Sequence, residues 1–286
     1  MTSDIPGDPL DLASLRAALP AATEARIASL EIVDSIDSTN SELLRRETPT
    51  QGIAALFAEH QSGGRGRQGR VWTSPPGSNL YLSVARCFDG ALARLGGLSL
   101  VAGIAAAEAL HALGADTVRV KWPNDLVTID GGALRKLGGV LVEAGLQAGR
   151  PRAVVGLGVN LRMPATAAAG IDQPWTDLHA LLGQTLPARN RVAATLLAAL
   201  VEGLDRFDSE GLAPFLPRFA ALDALRDAEV VATIGDRTHA GVAAGIADDG
   251  ALRLRTDDGE WLLRAGEMSV RRRPPAQALA QAPERA

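Results

Sequence analysis

The sequence predicts an α+β layer architecture followed by a small all-β barrel, and three observations carry that expectation. Strand-like runs recur between Leu30 and Asn160, and several are continuously apolar, as sheet strands covered by helices are. Short hairpins accompany only two strong helical patterns, Leu95 to Leu113 and Arg189 to Phe207. From about Ala228 the pattern changes to short strands divided by Gly-Asp and Asp-Gly turns.

Taken in order, Asp11 to Leu19 has helical spacing, with Leu12, Leu15 and Leu19 on one side. About thirty residues precede the first strand signal, Leu30 to Val33, and a winged-helix DNA-binding domain needs more. Strand signals follow at Ile53 to Ala58, Leu80 to Ala85, Val118 to Val120, Leu126 to Ile129, Gly138 to Glu143 and Ala153 to Asn160. The helix Leu95 to Leu113 carries Glu108 and His111 and is rich in alanine, which suits a buried core helix better than a membrane span. In the helix Arg189 to Phe207, Leu196, Leu197, Leu200, Leu204 and Phe207 recur at three-to-four spacing. The barrel strands are expected at Val230 to Ile234, His239 to Ile246, Ala251 to Thr256, Glu260 to Leu263 and Met268 to Val270. The resulting division is an N-terminal extension (1–29), a main domain (30–226), a small barrel (227–273) and a frayed tail (274–286).

Composition bounds the function. A net charge of −4 argues against a general polyanion-binding surface, so any positive site must be local. The single Cys87 forms no internal disulfide, four scattered histidines make no metal cluster, and the acidic, proline-bearing start is unlike a signal peptide, so cytoplasmic residence is expected. Of the 29 basic residues, only Lys121 and Lys136 are lysine. A composition bias toward arginine explains the depletion but not the survivors, which mark places where a compact ammonium is needed.

Ser62 to Arg70 reads S-G-G-R-G-R-Q-G-R, three arginines and four glycines in nine residues. Glycine brings backbone close to a ligand and arginine grips phosphate or carboxylate, so a mobile loop closing over an anion is expected. The stretch formally satisfies G-x-G-x-x-G, but Pro75 and Pro76 follow where a dinucleotide site requires a helix. No phosphate-binding P-loop motif occurs, and a disordered RNA-binding segment would be longer and repeated. Lys121-Trp122-Pro123-Asn124-Asp125 follows a short strand, where Pro123 forces a turn and pushes Asn124 and Asp125 out at the strand end. Arg135 to Glu143 places Lys136 at the start of an apolar strand, buried and pointing into a pocket, with Gly138 and Gly139 leaving room for a ligand. Ser38, Thr39 and Asn40 form a hydroxyl and amide cluster, and the acid at Glu42 predicts a capping box that starts a helix.

The ordered set S-T-N, Q-S-G-G-R-G-R-Q-G-R-V-W, S-N-L-Y-L-S, V-K-W-P-N-D, R-K-L-G-G-V-L-V-E and G-L-G-V-N-L resembles biotin protein ligases over roughly Ser35 to Arg271. The resemblance implies a mixed β-sheet flanked by helices, related to class II aminoacyl-tRNA synthetases, with an SH3-like C-terminal barrel. It implies ATP-dependent activation of biotin to biotinyl-5′-AMP with Mg2+ accompanying the nucleotide, then transfer to one lysine of a biotin carboxyl carrier protein or domain of an acyl-CoA or pyruvate carboxylase. By the same resemblance Ser38, Thr39, Asn40, Gln61, Arg65, Gly66, Arg67 and Lys136 contact biotin. Arg65, Arg67, Arg70, Asn124, Asn160 and Trp175 contact ATP or the adenylate. Arg67, Lys136, Asp125 and Lys121 carry the chemistry, Arg271 stands in the barrel as a further contact, and no residue is assigned directly to the metal. The expected form lacks DNA binding and membrane association and is a monomer or homodimer. A lipoate ligase-like acyltransferase and a non-enzymatic biotin sensor are the competing readings.

Overall fold

The computed structural model describes residues 8–265 and 268–272, and the expected tail 274–286 lies outside the described residues. The chain divides into two compact units, residues 1–224 and 225–286.

The first unit is built on a seven-stranded mixed sheet. Its strands are β1 (Ile27–Ile36), β2 (Ile53–Gln61), β3 (Leu80–Cys87), β4 (Arg119–Lys121), β5 (Asp125–Asp130), β6 (Ala133–Gln147) and β7 (Arg150–Val159). They lie in the order β1-β2-β3-β7-β6-β5-β4, with β1 parallel to β2 and the other pairings antiparallel. The helices are α1 (Leu12–Ala18), α2 (Ala21–Glu24), α3 (Thr39–Arg45), α4 (Leu98–Ala112), α5 (Ala165–Ala168), α6 (Leu178–Leu182), α7 (Arg189–Glu210) and α8 (Leu216–Leu222).

Apolar periodicity decides where these elements pack. Helix α4 is apolar almost all round, and eleven of its fifteen residues are buried. The segment Leu92–Ala112 is long and apolar enough to cross a membrane, and it is mostly buried inside this unit. Helix α7 instead has one buried stripe, Val192, Leu196, Leu197, Leu200, Leu204 and Phe207. At Gly203 an added Cβ would stand 3.2 Å from the Ala105 Cβ, so the absent side chain sets how closely α7 and α4 approach. The N-terminal segment is fastened to the same unit: Asp11 caps α1, Leu10 N–H donates to Glu59 at 2.7 Å, and the buried Arg189 pairs with Glu59.

Several elements depart from expectation. Strand β1 starts at Ile27, inside the expected N-terminal extension, because the parallel pairing with β2 recruits residues that carry no strong strand signal. The long apolar helix breaks at its start into a 3-10 turn, Leu92–Gly97, before α4 begins. Strand β6 runs for 15 residues, so Lys136 is its fourth residue rather than its first, and its side chain is 20% exposed rather than buried.

The second unit is a five-stranded antiparallel sheet, as the SH3-like expectation requires. Its strands β8 (Glu229–Ile234), β9 (Arg237–Ile246), β10 (Leu252–Thr256), β11 (Gly259–Leu263) and β12 (Met268–Arg272) lie in the order β11-β10-β9-β8-β12. The turns fall at the expected glycines, with Gly235, Gly250 and Gly259 all at positive φ. Arg271 sits exposed on β12 opposite Val231.

Candidate active site

Helix α3, the Arg-Gly segment and the strands β5, β6 and β7 bring most of the expected residues together. Ser38 caps α3 by accepting from the Ser41 N–H at 3.4 Å. The expected capping box does not close: with Ser38 as the cap, Glu42 stands one position past the third helical residue and pairs with Arg45 and Arg46, while the Ser38 N–H donates to Asp37 at 2.7 Å. Thr39 donates from its backbone and its hydroxyl to Gln61 Oε1, at 2.8 and 3.1 Å. Ser83 Oγ stands 2.7 Å from Thr39 Oγ1 and donates to Asn40 Oδ1 at 2.6 Å. Asn40 Nδ2 donates to Glu143 at 3.0 Å and to the Leu141 carbonyl at 3.2 Å. This end is a neutral, nearly sealed network: Ser38, Thr39, Asn40 and Ser83 are all buried. Gly156 makes it possible, since a Cβ there would lie 2.3 Å from Asn40 Oδ1.

The Arg-Gly segment forms a tight hairpin. Trp72 N–H donates to the Gly64 carbonyl at 2.9 Å and Gly66 N–H to the Arg70 carbonyl at 2.7 Å, closing a tip at Arg67, Gln68 and Gly69. Its root is fixed to the end of β1, through Ser62 N–H to Ile36 and Gly63 N–H to Asp37. Arg65 reaches Ser41 and Glu143, each at 3.1 Å. Arg67 donates to Asn124 Oδ1 at 3.3 Å, and burial lowers its pKa against the pull of Asp125. Arg70 lies exposed on the outer limb, where its charge makes Arg67 harder to protonate.

The charged end lies where β4 turns into β5. Lys136 Nζ is 2.7 Å from Asp125 Oδ1, and Lys121 Nζ is 3.6 Å from Oδ2 of the same carboxylate. Burial pushes the Asp125 pKa up, but the Lys136 and then the Lys121 ammonium outweigh it, so the carboxyl titrates below its ordinary range. Asn124 is held by exchange with Val140, its Nδ2 donating at 2.8 Å and its carbonyl accepting at 2.9 Å. Lys136 also lies over the Trp72 ring, 5.4 Å from its centroid. Trp175 is bracketed to Lys136 by two backbone bonds, Lys136 N–H to Pro174 and Thr176 N–H to Lys136, each 2.9 Å. Asn160 is buried beside it, donating to the Thr176 carbonyl at 3.0 Å while its Oδ1 has no partner among the described residues.

Two expectations about glycine are refined. A Cβ on Gly138 would meet the Gly158 carbonyl at 2.6 Å, so that glycine serves the close approach of β6 and β7 rather than a ligand. A Cβ on Gly139 would instead face Asp125 and Lys136 at 3.4 Å. Residues that the motifs contain but to which no role was given also stand here: Ser83, Glu143, Gly156, Gly158 and Trp72, whose ring fills the space a Gly158 side chain would need. The alternating glycines of G-L-G-V-N were the available signal, since two small residues on one strand face leave room for side chains from elsewhere.

Comparison with known proteins fits this geometry. Residues 32–160 match the biotin/lipoate A/B protein ligase family and residues 228–271 the biotin protein ligase C-terminal domain. The chain is 43% identical over 246 residues to the bifunctional ligase/repressor BirA of Escherichia coli, covering 85% of this chain and 74% of that protein. It is 32% identical over 271 residues to the biotin–[acetyl-CoA-carboxylase] ligase of Mycobacterium tuberculosis, covering 91% and 95% of the two chains. The structure of the Aquifex aeolicus biotin protein ligase in complex with biotin and ATP superposes with a TM-score of 0.69 at 27% identity, covering 87% of this chain and 99% of that one. From sequence, fold and site together, the chain belongs to the biotin protein ligase family and is an enzyme of that ligase class.

Proposed function

We propose that the protein activates biotin with ATP to biotinyl-5′-AMP and transfers the biotinyl group to one lysine of a biotin carboxyl carrier protein or domain. The observation that carries this reading is the convergence of Lys136 and Lys121 on the Asp125 carboxylate, with Arg67 on the adjacent Asn124. In the first step a carboxylate oxygen attacks the α-phosphorus and the bond to the β-phosphate breaks, releasing pyrophosphate. Both reactants are anionic, and fixed cations at the meeting point offset their repulsion. In the second step the carrier amine attacks the acyl carbon, AMP departs with the bonding electrons and the amine loses a proton.

The neutral network of Ser38, Thr39, Asn40, Gln61 and Ser83 suits an uncharged polar ring such as the ureido group. Asn160, whose buried oxygen has no partner among the described residues, and Trp175 stand beside Lys136 where the nucleotide is placed in this reading. The low pKa of Asp125 keeps it ionised at neutral pH, which suits it to accept a hydrogen bond from the incoming amine and orient it. Among the described residues no three His, Cys, Asp or Glu side chains are grouped to hold a metal ion, and with Asp125 paired to two lysines and Asn124 Oδ1 to Arg67, a magnesium ion would be carried by the nucleotide's own phosphates, which it would partly neutralise.

The test is incubation with biotin, MgATP and a biotin carrier domain, followed by intact-mass measurement of the carrier. One added biotinyl group per carrier, with matching pyrophosphate release, is expected. Pyrophosphate release without labelling removes the transfer step, and neither signal removes the whole reading.

A further inference from the structure

We propose that Glu143 is a positioning residue that latches the Arg-Gly hairpin to β6 through Arg65. The inference rests on the proposed reading of the hairpin as the cover of the adenylate. Two observations carry it, the contacts of Arg65 and a second bond made by Glu143. The Arg65 guanidinium lies 3.1 Å from both oxygens of the Glu143 carboxylate, and also 3.1 Å from Ser41. All three contacts are made by Arg65 Nη2, so this nitrogen is committed to the latch.

The Glu143 carboxylate has a second task that makes it more than a surface partner. Its Oε2 also accepts from Asn40 Nδ2, and Asn40 in turn accepts from Ser83. One carboxylate thus ties the cover to the buried network expected to bind the ureido ring. The lever is local, because the segment between the β1-anchored root and the tip is short and its limbs are cross-bonded at Gly64 and Gly66. Fixing Arg65 fixes the register in which Arg67 is presented at the β4–β5 turn. The Arg65 side chain is 42% exposed and that of Glu143 is 27% exposed, so the latch is of the modest kind that a bound ligand can reinforce and that thermal motion can open.

The experiment uses Glu143→Gln in the full chain. Glutamine keeps an oxygen to accept from Asn40 but loses the charge that holds Arg65. Limited digestion of the ligand-free protein with subtilisin, read by mass spectrometry, is expected to cut within residues 62–73 roughly three- to fivefold faster than in the unsubstituted chain. In an Arg65→Ala background the same substitution is expected to add nothing, because its partner is already gone. Unchanged cleavage in Glu143→Gln, an undiminished effect in the Arg65→Ala background, or faster cleavage spread through the whole chain would each overturn the latch. These readouts need neither biotin nor ATP, so they fail independently of the proposed reaction. A second measurement follows turnover: pyrophosphate released per carrier labelled is expected to rise about threefold in Glu143→Gln, as a loosened cover admits water. An unchanged ratio would also count against the proposal.

Discussion

The two ends of the site solve different problems with different chemistry. At the α3 end, Thr39, Asn40, Gln61 and Ser83 are neutral, interlocked at 2.6 to 3.1 Å and nearly closed to solvent. At the β4–β5 end, two lysines share one carboxylate and an arginine carries a burial penalty on its charge. A neutral polar ligand gains from groups that cannot rearrange, because every unsatisfied buried donor or acceptor costs about 1–3 kcal/mol. An anion gains from cations already gathered, since their mutual repulsion has been met by folding before the ligand arrives. The α3 end therefore suits recognition and the β4–β5 end suits reaction.

The largest expected effect tests the charged end. Lys136→Arg keeps the charge, but a planar fork does not fit the place of an ammonium that sits over Trp72 and 2.7 Å from Asp125. Pyrophosphate release should fall by at least about 100-fold. Near-normal release would show that charge alone suffices there.

Gly156→Ala attacks the neutral end by crowding. Its Cβ would stand 2.3 Å from Asn40 Oδ1, and the strain of about 2 kcal/mol should raise KM for biotin roughly 30-fold with kcat far less affected. An equal fall in kcat would mean that the two ends are not separable.

Ser83→Ala is gentler, removing one hydroxyl between Thr39 and Asn40 at about 1 kcal/mol. A rise of about fivefold in KM for biotin, measured by initial rates, is expected. No change would mean that Asn40 keeps its orientation from β6 alone.

The smallest effect separates the ends by pH. Asp125 is held below its ordinary value of 3.8, so its contribution to stability is complete above that value and is lost as pH falls through the lower folded-state value. Denaturant midpoints from pH 8 to about 5 should therefore show no loss from this pair. Below about 4, part of the acid destabilisation should be missing in Asp125→Asn. Parallel acid curves for the two proteins would remove Asp125 from that transition.

Much of this site could be read along the chain because its parts are contiguous. The Arg-Gly segment, the Lys-Trp-Pro-Asn-Asp turn and the two surviving lysines each announce themselves by residue type within a few positions. Glu143 did not, since an acid closing an apolar run looks like a strand end until Asn40 and Arg65 arrive from about 100 and 78 positions away. Ser83 was hidden similarly, as a lone hydroxyl in a strand whose residues are all buried. Gly138 misled because glycine signals close approach without saying whether ligand or backbone approaches.

The sequence by itself determined the α+β class, the two-unit order of sheet and small barrel, and the residue types of the charged end, because propensity, turn chemistry and charge scarcity are local properties. Only the tertiary structure decided that β1 runs parallel to β2, that β7 lies between β3 and β6, and that Glu143 joins the Arg-Gly hairpin to the neutral network. Those facts depend on which strands become neighbours, and strand pairing is settled by the burial of apolar faces across the whole unit rather than by any short stretch of chain.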